Sequence, residues 1–353
     1  MTGTPRERMA RQVREQAEVC GRLGSPLYLV LLERLADEVL DGGPGAEVLA
    51  GHERDTGASA LALRLMGSVH RLALQGRTPG LAEFYPSVGG RGDPAAAWPA
   101  LREVLVEHRD ELRRLLGQPP QTNEVGRAAA LLGGLQHLLS RWDAPVRLFE
   151  IGASAGLNLL ADRFRVQLPD GRGVGPADSP MVLTDAWRGR LPPLGPRLRI
   201  AERAGCDTSP VDPTTAEGRL ALTSYVWPDH VARLDRLRGA LELAADRPAT
   251  VERATAERFV GRLTLVPGTT TVLWHSVMWP YLGSGERAAV LALLERIGER
   301  AGEHARLAHL HLEPGRRDPD GPHEFLVVLR TWPGGEERVL GAAHPHGLPT
   351  TWD

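Results

Sequence analysis

At Pro145 the hydrophobic pattern of this 353-residue chain changes its period, and that change constrains the fold more than any other feature. Before it, apolar residues recur at three- and four-residue spacing, the signature of amphipathic helices. Helices are predicted over Pro5–Leu23, from a Ser25 cap and Pro26 through Leu40, over Ala58–Leu74 and over Trp98–Leu116. A further one is expected over Glu124–Ser140, with Thr122 or Asn123 as its cap. After Pro145, short apolar runs alternate with helical ones. Strands are expected at Val146–Ile151, Arg197–Cys206, Ala249–Ala254, Thr270–Ser276, Arg306–Leu312, Phe325–Thr331 and Arg338–Ala342. Helices are expected at Leu157–Phe164, Pro228–Ala245 and from Ser284 to Arg300. Such alternation builds a mostly parallel, doubly wound α/β sheet. Two domains are therefore expected: a helical one over 1–145 and an α/β one over 146–353. Within the second, the Gly- and Pro-rich segment 165–196 reads as an insertion with one short strand at Met181–Asp185.

Composition removes several function classes. All 42 basic side chains are arginine. Without a lysine amine there is no pyridoxal Schiff base, no P-loop phosphate lysine and no kinase-type lysine. A net charge of −2 gives no bulk attraction to nucleic acid or an anionic membrane. No apolar run approaches the roughly 20 residues of a membrane-spanning helix, and the first residues lack the apolar core of a signal peptide. Two cysteines, Cys20 and Cys206, suit a reducing compartment. A cytoplasmic protein with a small-molecule substrate is expected; oligomeric state is left open.

The sharpest local signal is Phe149-Glu150-Ile151-Gly152-Ala153-Ser154-Ala155-Gly156-Leu157-Asn158. A buried strand runs into a Gly-rich turn and straight on to a helix start, where backbone N–H groups can face a ligand. Two glycines four apart, with an acid two residues before the first, resemble the cofactor loop of class I S-adenosylmethionine (SAM) methyltransferases. That resemblance implies cofactor contacts from Glu150, Gly152, Ala153, Ser154, Gly156 and Asn158. The same residues also satisfy G-x-S-x-G, the nucleophile elbow of α/β-hydrolases. A Ser154, Glu313, His346 order would complete that triad. Position in the chain favours the first reading, because this turn follows the first strand and a hydrolase elbow follows several.

Gly205-Cys206-Asp207 closes the next strand, where an acid holds ribose hydroxyls in Rossmann-like folds. Asp207 lies 51 residues beyond Gly156, against a usual spacing of about 20, so the insertion must intervene. Asp185 competes at 29 residues. The strand Thr271–Ser276 leads into Val277-Met278-Trp279-Pro280. At its carboxyl end His275 is the first candidate for a base or acceptor-aligning group, with Glu313 at the equivalent end of the following strand. Trp279 joins Asn123, Glu124 and Arg127 as expected substrate contacts, the last three from a polar segment that would cover the cofactor. His309 and His311 share a strand face, and His344 and His346 repeat the spacing. With Glu313 these could ligate a metal, but no HExxH or cysteine cluster accompanies them, and no metal is expected. Six tryptophans (Trp98, Trp142, Trp187, Trp227, Trp332 and Trp352) read as packing anchors.

Together TNEVGR, EIGASAGLNLLADRF, GCDTSPVD, WPDHVARL, WHSVMWPYL and HPHG resemble a bacterial domain-of-unknown-function family (number 2332), from the Ser25–Tyr28 segment to His346. The resemblance implies a Rossmann-like, class I methyltransferase-type domain with SAM as cofactor. One departure stands out: the acid that would follow the third strand and hold the adenine amine is replaced by Ala254-Thr255-Ala256. The expected activity is methyl transfer from SAM to a small molecule. A serine hydrolase using Ser154, or a repurposed binding domain without methyl transfer, are the alternatives.

Overall fold

The computed structural model describes residues 3–55, 59–118, 120–168 and 170–353. The chain forms two compact units, Met1–Thr122 with Ala216–Asp235, and Asn123–Thr215 with Arg236–Asp353. Among the described residues no helix is long and apolar enough to cross a membrane.

The first unit is helical. Its helices include Pro5–Arg22, Pro26–Asp41, Leu61–Leu74, Trp98–Glu107 and Ala216–Ser224. The expected start of the third, Ala58, lies outside the described residues. Ser25 caps its helix as the sequence suggests, accepting from Tyr28 N at 3.1 Å. Its hydroxyl donates to the Asp229 carboxylate at 2.8 Å, so the returning segment is tied to that cap. Leu27, Leu31, Leu35, Leu65 and Val69 bury the apolar faces together.

The second unit is built on one nine-stranded sheet. Its main strands are β1 (Val146–Ile151), β2 (Ile200–Asp207), β3 (Thr250–Arg253), β4 (Thr269–Ser276), β5 (Ala305–Gly315), β6 (Glu324–Trp332), β7 (Glu336–Ala343) and β8 (Thr350–Trp352). In space they run β3-β2-β1-β4-β5-β6-β7-β8, and the short strand Trp187–Gly189 closes the edge beside β8. The first five are mutually parallel. β6, β7 and β8 follow in antiparallel pairing. The order therefore reverses between β1 and β4, which is the crevice where open α/β sheets take their ligands. β1 is buried at all six positions, as a central parallel strand must be.

Several boundaries differ from the sequence reading. The helix Ala128–Arg141 joins the α/β unit, because Gly133 and Gly134 let it lie directly on Trp352 and Leu310 of the sheet. Residues 216–235 return to the helical unit instead of continuing the alternation, and helix Ala216–Ser224 precedes one starting at Val231, three residues after the expected Pro228. Leu157–Arg163 is a 3₁₀ helix, tighter than the α-helix expected. The insertion holds three short strands of its own, Arg165–Gln167, Gly173–Val174 and Val182–Leu183.

Gly205 sets how closely the loop after β1 can approach β2. A methyl group there would stand 2.7 Å from Ala153 Cβ and 3.1 Å from the Glu150 carbonyl oxygen, and the latter is backbone that cannot swing aside. Gly205→Ala should lower thermal stability by the equivalent of about 1–3 kcal/mol, the scale of overpacking. Gly302→Ala, whose added methyl meets nothing within 4 Å, is the control and should leave the melting curve in place.

Candidate functional site at the carboxyl edge of the sheet

The turn after β1 carries three left-handed residues in five: Gly152 at φ 66°, Ser154 at φ 52° and Gly156 at φ 71°. At Gly156 only glycine fits, since a Cβ would meet Val251 Cγ2 at 2.7 Å. Ser154 pays a steric cost of about 1–2 kcal/mol for this conformation, and Asp207 offsets it. One carboxylate oxygen of Asp207 accepts from Ser154 N at 2.9 Å, the other from Ser209 N at 2.8 Å. Ala153 N adds a bond to the Cys206 carbonyl at 3.0 Å. The ends of β1 and β2 are thereby locked together. Asp185 sits elsewhere, exposed in a turn of the insertion at φ 49°.

The segment before the helix Ala128–Arg141 closes over this turn. Asn123 does not cap its own helix; its side-chain oxygen accepts from Leu157 N at 2.9 Å. Glu124 caps the short 3₁₀ turn Val125–Arg127 that leads into the helix, accepting from Gly126 N at 3.0 Å, and its carbonyl accepts from Asn158 Nδ2 at 3.4 Å. Arg127 donates to the carbonyl oxygens of Pro345 at 3.0 Å and Ser276 at 3.3 Å.

Beneath that cover lies Glu150, 2% exposed, with Oε2 lacking a hydrogen-bond partner. Burial pushes its carboxyl up to about 8, against the opposing pull of a hydrogen bond from Asn158. Asn158 Oδ1 is also buried without a partner. Two unmatched polar atoms beside a Gly-rich turn form a polar niche in an otherwise apolar strand end.

His275 and Glu313 are brought into contact, with His275 Nδ1 2.8 Å from Glu313 Oε1. The same oxygen accepts from Met278 N at 3.0 Å and Trp279 N at 3.2 Å. Those bonds hold a turn in which Val277, a β-branched residue, adopts φ 51°. The Trp279 indole stacks on the His275 ring at 4.8 Å. His275 Nε2 faces His309 Nε2 at 2.9 Å. His311 lies beside them, its ring parallel to that of His275 at 5.1 Å. Burial drives His309 well below the usual imidazole range and His311 down to about 3, with the neighbouring histidines adding repulsion. Both rings are neutral at ordinary pH.

Register sorts these residues onto two faces. Glu150 is aligned with Trp274 and Gly205, and Asp207, two residues on from Gly205 and the last of β2, points to the same side. His275, one residue on from Trp274, points to the opposite face together with His309, His311 and Glu313. The expected catalytic pair and the expected cofactor residues thus share one sheet edge without sharing a face. The Ser154, Glu313, His346 order is not joined through Glu313, whose Oε1 is held by His275 and two backbone N–H groups. His344 and His346 pair with each other, their rings 5.0 Å apart. The link between His275 and the 309/311 pair had no sequence signal, because it depends on the β4–β5 register.

The chain belongs to the bacterial family described as "Uncharacterized protein conserved in bacteria (DUF2332)", which matches residues 10–352. Comparison with the curated proteins finds no match.

Glu150 gives a signed pH test. Its folded-state value near 8 lies above the ordinary carboxyl value of 4.5, so the native chain holds a proton that the unfolded chain releases. That stabilisation is complete below about pH 4 and fades as pH rises through about 8. Glu150→Gln should therefore gain on the native sequence in melting temperature as pH is raised from about 5 to about 8. A gap between the two that stays constant over this window would refute the protonated carboxyl.

Proposed function

We propose that this chain binds SAM at the carboxyl edge of its parallel sheet and transfers the methyl group to a small molecule. The observation that carries this reading is the β3-β2-β1-β4-β5 order, with a Gly-rich turn after β1 tied to an acid at the end of β2. That is the arrangement in which Rossmann-like folds hold a nucleoside cofactor.

The residues present fit such a molecule at two of its ends. The unmatched Asn158 Oδ1 suits an ammonium group, and so does Glu150 Oε2 once its carboxyl gives up its proton. Asp207 uses one lone pair on each oxygen for backbone N–H groups, which leaves acceptor capacity for ribose hydroxyls. No acid follows β3 directly in the chain: Thr255, two residues beyond it, accepts from Arg258 N at 3.3 Å, and the carboxylate that reaches this end, Glu286, is held by Ala256 N at 3.0 Å. When bound, the sulfonium supplies an activated methyl group for in-line displacement. The turn Gly152–Gly156 and Asp207 would orient it, and the segment Asn123–Arg127 would exclude water. Such a transfer is accelerated chiefly by proximity, and it needs little proton movement. His275 and Glu313, buried on the opposite face of the sheet, take no part in this reading.

The missing adenine acid favours a second reading, a nucleoside-binding domain without methyl transfer. Calorimetry of the full chain with S-adenosylhomocysteine tests what both share. Micromolar binding is expected, weakened about tenfold or more by Asp207→Asn, the scale of a lost charge-assisted bond. Asp185→Ala should bind as the native chain does. No heat and no thermal shift at millimolar ligand would overturn both readings. A fluorophosphonate probe should leave Ser154 unlabelled; stoichiometric labelling abolished by Ser154→Ala would replace them with a hydrolase.

A further inference from the structure

We infer that His275, His309 and His311 form a binding site for a first-row divalent metal ion of the zinc class, with Glu313 holding His275 in its ligating orientation. The site does not depend on the cofactor proposal, because it occupies the other face of the sheet.

Register places the three rings. His275 on β4 is aligned with His311 on β5, and His309 stands two residues earlier on the same face. One ligand nitrogen from each lies within 4.8 Å of the others. A tetrahedral ion with bonds of about 2.0–2.1 Å to nitrogen needs its donors about 3.3–3.4 Å apart. The 2.9 Å between His275 Nε2 and His309 Nε2 is slightly below that spacing, so a shift of a few tenths of an ångström admits an ion between them.

The proton pattern at His275 is already that of a metal ligand, whereas His309, which donates from Nε2 across the 2.9 Å contact, has to move its proton to Nδ1 to ligate. A Glu313 carboxylate accepting at Oε1 requires His275 to carry its proton on Nδ1, which leaves the Nε2 lone pair facing inward. A carboxylate behind a histidine is the usual way a ligating ring is fixed in tautomer and direction. The bonds from Met278 N and Trp279 N pin that carboxylate in turn. His311 Nδ1 and Glu313 Oε2 are buried with no partner, which leaves this polar cluster incomplete as it stands. The parallel stack of His275 and His311 has to open for both rings to point at one ion, so His311 must rotate. It breaks no hydrogen bond at Nδ1 in doing so.

All-imidazole donors suit zinc, copper and nickel better than calcium or magnesium. Three protein donors leave a fourth position for water or an oxygen ligand, as in zinc sites that do chemistry.

The test uses the full chain. It is stripped with chelator, incubated with Zn²⁺, desalted and analysed for metal, and a parallel sample is titrated with Co²⁺ and read by visible absorption. One equivalent of zinc and the intense bands of tetrahedral Co²⁺ are expected. His309→Ala and His311→Ala should each remove both signals while circular dichroism stays native. Glu313→Gln should weaken binding about 10–100-fold, and His344→Ala should change nothing. A folded native chain that retains no zinc and gives no Co²⁺ bands at millimolar metal overturns the site, whatever the variants do. Unchanged binding in a folded His309→Ala or His311→Ala would also overturn it.

Discussion

Complete burial of β1 is the constraint from which the rest of the α/β unit follows. A parallel strand covered on both faces must keep polar groups to its ends, and this one carries Arg147 near one end and Glu150 near the other. They are treated differently. Arg147 is paired with Glu202 at 2.7 Å and also donates to the Thr264 carbonyl. Glu150 is given no ion partner close enough to bond, so it takes up a proton instead. The amino end of the strand is thus a finished structural joint. The carboxyl end holds buried polar capacity that the fold leaves unused.

Around that end the chain spends side chains on fixing backbone. Asp207 secures the strained Ser154 turn, Asn123 caps Leu157, and Glu313 steadies the turn at Val277. Each tie reaches between segments that are distant in sequence, so the edge is rigid before anything binds. Rigid placement lowers the ordering cost of binding a small ligand. The two faces then offer different chemistry: hydrogen-bonding oxygens on the Glu150 side and imidazole nitrogens on the His275 side.

Much of this architecture can be read from the sequence. The continuous run Val146–Ile151, stopped by Gly152, marks a central strand and the Gly-rich turn after it without any tertiary information. His275 and Glu313 were recognisable because each closes an apolar run at its carboxyl end. Other features could not be read, for identifiable reasons. Helix Ala128–Arg141 is buried on nearly every side, so its pattern has no polar face to show which unit it packs on. Asn123 looks like a helix cap, and its actual partner lies 34 residues away. The meeting of His275 with His309 and His311 is set by strand register, which no local pattern encodes.

The proposed nucleoside ligand would sit at the carboxyl edge on the Glu150 face. Hydrogen–deuterium exchange of the full chain, with and without saturating S-adenosylhomocysteine, addresses it at residue level. Slower exchange is expected in residues 150–158 and 205–209 when the ligand is present, with the helices of the first unit unaffected. Unchanged exchange in both segments, or protection confined to the helical unit, would contradict that placement.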